Sequence, residues 1–175
     1  MTDTSTRAPL CGLALPEGVS GGRTAAAITD GEAILRTQTR DISILVARDD
    51  LTITLARYSA GQSVAGPHVH NHHTDAFYVL EAQLTFEIGR ERDTVTVPRG
   101  GFVTVPPGVA HAFRIDGNRP ARWLTIHAPD GGFARFMRGI RDGVDDVEWD
   151  IADVPEGGGL PARAATITQP PTDRS

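Results

Sequence analysis

From Ala33 onward, apolar and polar residues alternate in short runs, the two-residue period of half-buried β-strands. Ile42, Ile44 and Val46 share one face of one run, and Leu51, Ile53 and Leu55 share one face of the next. Asp49-Asp50 between them suits a tight hairpin. The pattern predicts strands over 33–37, 42–47, 51–58, 77–80, 84–88, 94–97, 102–105, 110–115 and 121–126. Residues 59–67 read as a loop, and 81–83, 98–101 and 116–120 as turns rich in Gly, Pro, Asn and Asp. Strands at this spacing, with no helices between them, define an all-β antiparallel sandwich or barrel. The helical period appears in Phe133, Phe136, Met137 and Ile140, so one short amphipathic helix follows the strands and ends at Gly143. Its apolar stripe is read as core packing rather than as a cofactor-binding face. There is no internal repeat. The expected organisation is an N-terminal extension over 1–30, partly flexible; one folded domain over 31–150, helix included; and a loosely held Gly/Pro-rich tail over 151–175.

Composition narrows the function classes. A chain of 175 residues can bury a core without disulfides. The net charge is −5 and no basic block occurs, which argues against nucleic-acid binding. All 17 basic residues are arginines, so a Schiff-base lysine and a P-loop lysine are excluded. Cys11 is the single cysteine, so no intrachain disulfide forms. The apolar stretch 10–15 is too short for a signal peptide, and no segment is long enough to span a bilayer; a cytoplasmic protein without membrane contact is expected.

Four of the six histidines fall between positions 68 and 73, in the stretch PHVHNHHTDAFYVLEA. On a strand, His68 and His70 point to the same face. Asp75 joins them only if 71–74 forms a bulge or turn, which its polar composition allows. His111 follows the rigid turn Pro106-Pro107-Gly108, which can aim it into the same cavity. Neutral imidazoles with one carboxylate suit a divalent transition metal: Fe, Ni, Co, Mn, Zn or Cu. His72 and His73 read as solvent-exposed loop residues, with one of them reaching the metal as the alternative if the loop is arranged differently. His70 with His72 is an alternative same-face pair. His127, before Ala128-Pro129, reads as structural, with a place at the cavity mouth as the alternative. Asp75, Phe77 and Val79 share a strand face, and Phe77, Val79, Phe113 and Trp123 are candidates for an apolar substrate pocket.

These residues carry a resemblance. His68-Val-His70, Asp75 and the following FYVLEA resemble the first cupin motif, and Gly100, Pro106, Gly108 and His111 resemble the second, together covering 61–115. The flanking strands and the late helix resemble single-domain cupins of the quercetin-dioxygenase-like kind. The resemblance implies a double-stranded β-helix, a cupin β-barrel or jelly roll. It implies His68, His70, Asp75 and His111 as metal ligands, and Asp75 as the acceptor of a substrate hydroxyl proton. Gly61 stands one residue too far from His68, Asp75 replaces the family's glutamate, Ala82 a turn glycine and Ile115 an asparagine. Aspartate loses about 1.5 Å of reach, so the loop moves inward, or Asp75 binds through water, or a three-histidine site remains. The implied activity is a metal-dependent dioxygenase acting on a small aromatic or enolisable molecule. The alternatives are an isomerase, lyase or cyclase working without oxygen, and a non-catalytic metal- or ligand-binding cupin. A homodimer is expected, because the edge strands of such a barrel need covering.

Overall fold

The computed structural model of the protein describes residues 31–170. The expected N-terminal extension, with Cys11, and residues 171–175 lie outside them. The strands are β1 (Glu32–Arg36), β2 (Arg40–Arg48), β3 (Leu51–Tyr58), β4 (Ser63–His68), β5 (Thr74–Glu81) and β6 (Gln83–Ile88). They continue as β7 (Asp93–Pro98), β8 (Phe102–Val105), β9 (His111–Arg114), β10 (Ala121–Ala128) and, after helix α1 (Phe133–Asp142), β11 (Thr166–Thr168). All pairings are antiparallel. They form a larger sheet in the order β1-β2-β3-β10-β5-β8-β11 and a smaller one in the order β4-β9-β6-β7. The expected all-β double-stranded β-helix with one late helix is the observed fold.

Period-2 patterning builds the core. Phe77 and Val79 of the larger sheet, and Leu84, Phe86 and Ile88 of the smaller, turn inward and are buried. Phe77, Phe86 and Phe113 meet with centroids 5.0–5.5 Å apart, and burying each such ring contributes roughly 1.5–3 kcal/mol. This aromatic plug lies next to the buried polar side chains, with the Phe77 ring 6.3 Å from that of His111.

Three expectations are corrected. Residues 63–67, assigned to a loop, belong to β4. As the edge of the smaller sheet, with register shifts against β9, it tolerates Gly66 and Pro67. The helical stripe does not simply pack into the core: Met137 is buried, but Ile140 is 45% exposed. The tail from residue 151, expected to be loosely held, packs back on the barrel. Ala152 pairs with Val69, Gly159 with Val109, and β11 with β8.

The helix is held in place by charge. Asp130 accepts the N–H groups of Gly132 (3.0 Å) and Ala134 (2.9 Å) at its start. Arg138 and Arg141 both pair with Glu32 of β1. The hydrogen bond from Arg138, opposed by partial burial and reinforced by Arg141, holds the Glu32 carboxyl below its usual range. A depressed carboxyl stabilises above its unfolded pKa, and that stabilisation disappears as pH falls through the folded value. Glu32→Gln is therefore expected to lower the melting temperature at pH 7 and to become neutral once the pH has fallen below the lowered folded pKa of Glu32; an equal loss at neutral and strongly acid pH would contradict this ion-pair role.

Ala82 has φ 57°, a left-handed conformation that an L-residue adopts at a cost of about 1–2 kcal/mol. Glycine removes that cost but adds unfolded-state entropy of about 0.4–1 kcal/mol. Ala82→Gly is thus expected to raise the melting temperature by about 2–4 °C, and a lower melting temperature would show that the turn is not strained.

Candidate metal centre

Two cross-strand pairs, one from each sheet, face each other inside the barrel. In the smaller sheet His68 of β4 lies opposite His111 of β9. In the larger, Asp75 of β5 lies opposite His127 of β10. His70 and His73 sit on the short crossover from β4 to β5. The donor atoms of His68, His70, Asp75 and His111 all lie within 4.8 Å of one another, and all four residues are buried. The bend at 71–72 supplies the change of parity that Asp75 needed.

Proton placement decides what this cluster is for. His68 Nδ1 donates to the Gly66 carbonyl (2.8 Å), His111 Nδ1 to that of Val109 (3.3 Å), and His70 Nδ1 to that of Asp150. With the proton on Nδ1, each neutral ring has a lone pair on Nε2. Yet the Nε2 atoms of His70 and His111 both lie 3.2 Å from Asp75 Oδ2, itself an acceptor. Acceptors facing acceptors in a buried site require a cation or extra protons between them. Bonds of about 2.0–2.2 Å place neighbouring ligand atoms about 2.8–3.6 Å apart around an octahedral or tetrahedral ion, which this spacing matches. Burial, helped by His111, pushes His68 down to about 4, so its ring stays neutral and ligand-ready at neutral pH. The donor set therefore fits a divalent transition metal, with no preference among such ions.

The expected exposure of His73 is corrected, and His127 takes its alternative place, on the cavity wall. His73 is fully buried, with Nε2 3.1 Å from Asp75 Oδ1 and Nδ1 donating to Asp150 Oδ2 (2.8 Å). His127 Nδ1 lies 2.7 Å from Asp75 Oδ1. Four imidazoles thus surround one carboxylate, two on each oxygen. Burial alone would raise Asp75, but wherever protons rather than a cation fill the gap, the charge of His127 and the hydrogen bonds of His111 and His70 outweigh it and hold the carboxyl well below the usual range. Burial depresses His73 too, yet Asp75 and Asp150 win and its pKa is raised. Burial also lowers His127, against the pull of Asp75. His72 is exposed, as expected.

The organising residue that the sequence did not reveal is Asp150, in the returning segment. Its carboxylate accepts the backbone N–H groups of Asn71 (3.0 Å), His72 (2.8 Å) and His73 (3.0 Å) as well as the His73 ring, while its carbonyl takes His70 Nδ1. This clamp draws the crossover toward the barrel axis, and Asp75 reaches its partners despite the missing methylene. Close packing is part of it. At Gly131 (φ 59°) a Cβ would lie 2.8 Å from His73 Nδ1 and 3.1 Å from Asp150 Cβ.

The cluster opens into a cavity of about 830 Å³, whose wall includes His68, Asp75 and His127. Of the expected pocket residues, Phe77, Phe113 and Trp123 line it. Val79 does not; it is wholly enclosed in the core. The walls also include Tyr58, Phe133, Phe136, Met137, Ile140 and Trp149. The helical stripe and the returning segment thus face a hollow. Trp149 stacks on Phe136 at 5.0 Å and lies 5.3 Å from the His70 ring.

Residues 54–127 match the cupin domain family. That match takes in both halves of the histidine cluster, and the fold around it is a double-stranded β-helix. Over 75 residues, 43% of this chain, it is 31% identical to quercetin 2,3-dioxygenase of Bacillus subtilis (strain 168), and it spans 21% of that relative's length. Among solved structures it is similar to a double-stranded β-helix domain protein of Klebsiella pneumoniae, at 22% identity, TM-score 0.46, covering 59% of this chain and 82% of the other. It is also similar to a bacterial pirin from Escherichia coli in complex with nickel(II), at 18% identity, TM-score 0.48, covering 54% and 47%. Among the described residues, no helix is long and apolar enough to cross a membrane.

Asp150→Ala removes the clamp but no ligand side chain. It is expected to weaken zinc(II) binding by about 10–100-fold and to speed amide exchange at residues 71–73. Unchanged zinc affinity would show that the crossover holds itself in place.

Proposed function

We propose that the protein is a metal-dependent cupin enzyme, a quercetinase-like dioxygenase acting on a small aromatic or enolisable molecule. The observation that carries this reading is the direct opening of a three-histidine, one-carboxylate cluster onto a cavity with aromatic walls, Phe77, Phe113, Trp123, Phe133 and Trp149 among them. A cavity of this size suits a substrate of two or three rings. Its walls bind through apolar burial and ring stacking. The Trp123 N–H is satisfied internally by Thr125 Oγ1 (3.1 Å) and makes no demand on the ligand.

In this reading His68, His70, His111 and Asp75 hold one divalent transition metal, which supplies a Lewis acid with positions left open for other ligands. Asp150 fixes His70 and the crossover, and the aromatic walls exclude water from the reacting atoms. Asp75 carries its carboxylate from the cluster to the cavity wall and so joins the metal site to the substrate space. The local identity to quercetin 2,3-dioxygenase supports the choice of reaction class. The small-molecule substrate and the homodimer expected from the sequence belong to the same proposal.

The test is to load the protein separately with Fe, Ni, Co and Mn and to follow dissolved oxygen and flavonol absorbance together. Matched losses of both, abolished in His111→Ala, are expected. No loss in any loading removes quercetinase-type activity. Substrate conversion without oxygen moves the protein to the lyase or isomerase class, and a ligand held tightly but never converted marks a binding protein.

A further inference from the structure

His127 carries the one buried side-chain nitrogen or oxygen left without a hydrogen-bond partner among the described residues: its Nε2. The residue is 2% exposed and lines the aromatic cavity. Its ring stacks on Phe133 with centroids 3.6 Å apart and interplanar angle 28°, so its plane is fixed. Its other nitrogen, Nδ1, lies 2.7 Å from Asp75 Oδ1 and 3.1 Å from His73 Nε2. A lone pair that close to a carboxylate would be repelled, so Nδ1 bears the proton and Nε2 is an acceptor. A buried acceptor with no donor is costly, and a ligand able to donate removes that cost.

We propose that His127 Nε2 accepts a hydrogen bond from a hydroxyl or N–H group of the molecule that fills the cavity, making His127 a specificity-determining residue. The choice rests on the cavity being the substrate site of the proposed enzyme. It also redistributes a duty. Both oxygens of Asp75 are already shared among four imidazoles, through His70 and His111 on Oδ2 and His73 and His127 on Oδ1. The acceptor beside the cluster that is free for an incoming hydroxyl is therefore His127. The ligand class narrows to flat aromatic molecules bearing a donor near the metal end. Groups that only accept, such as ethers, carboxylates and phosphates, are disfavoured at that point.

A matched pair tests this: 2-naphthol, which can donate, and 2-methoxynaphthalene, which cannot. Binding is measured by calorimetry to protein stripped of metal and to protein loaded with zinc(II), which is redox-inert. Wild-type protein is expected to prefer the naphthol by about 10-fold or more in both states, the size of one hydrogen bond to an otherwise unpaired buried group. His127→Phe, which keeps the stack on Phe133, is expected to remove the preference by weakening only the naphthol. His127→Gln, which keeps an acceptor, is expected to restore part of it. Equal affinities in the wild type, failure of both compounds to bind, or a preference that survives in His127→Phe would overturn the proposal. A preference seen only with zinc and insensitive to position 127 would assign the hydroxyl to the metal, overturning this inference while sparing the proposed enzyme. A His127-dependent preference in a protein that consumes no oxygen would sink the oxygenase reading and uphold this one.

Discussion

The Asp75 carboxylate, buried among imidazoles whose lone pairs point at it, sets the terms for the rest of the molecule. The Nε2 atoms of His70 and His111 stand 3.2 Å from Oδ2, and their Nδ1 protons are committed to backbone carbonyls. Such an arrangement is electrostatically incomplete on its own, because burying acceptors against one another without a cation or donor costs several kcal/mol. The fold has to supply enough packing to carry that cost. It does so with the aromatic plug of Phe77, Phe86 and Phe113 directly beneath the cluster.

The architecture explains how distant residues arrive at one point. His68 and His111 are cross-strand neighbours in one sheet, Asp75 and His127 in the other, and the two pairs meet because the sheets face each other. Strand periodicity makes the inward direction automatic at these four positions. The crossover between β4 and β5 has no such constraint, and Asp150 imposes one from outside the barrel.

That division matches what could be read in the amino-acid order. Alternation located most strands and put Asp75, Phe77 and Val79 on one face, and the H-x-H spacing with a remote histidine behind a proline turn marked the cluster. His73 and Asp150 were illegible for the same reason: their burial depends on a long-range clamp across 77 positions, and no local period encodes it. Trp149, beside Asp150, carries no more local signal, because the stretch 144–150 shows no helical or strand period. His127 carried a weak signal, its place at the end of an alternating strand, but its partner Asp75 becomes visible only through the pairing of β10 with β5. The helical stripe was legible as a pattern and misleading as to purpose, because periodicity says that a face is apolar and not whether it meets core or cavity.

The cavity links the cluster to chemistry. His68, Asp75 and His127 of the cluster share its wall with the aromatic rings of Phe77, Phe113, Trp123, Phe133 and Trp149. The account is tested most directly by anomalous diffraction from crystals of the metal-loaded protein. It predicts one peak about 2.0–2.2 Å from the Nε2 atoms of His68, His70 and His111 and from a carboxylate oxygen of Asp75. Absence of a peak there under saturating metal, with the imidazoles still facing Asp75, would show that protons hold the cluster together and would contradict the metal centre.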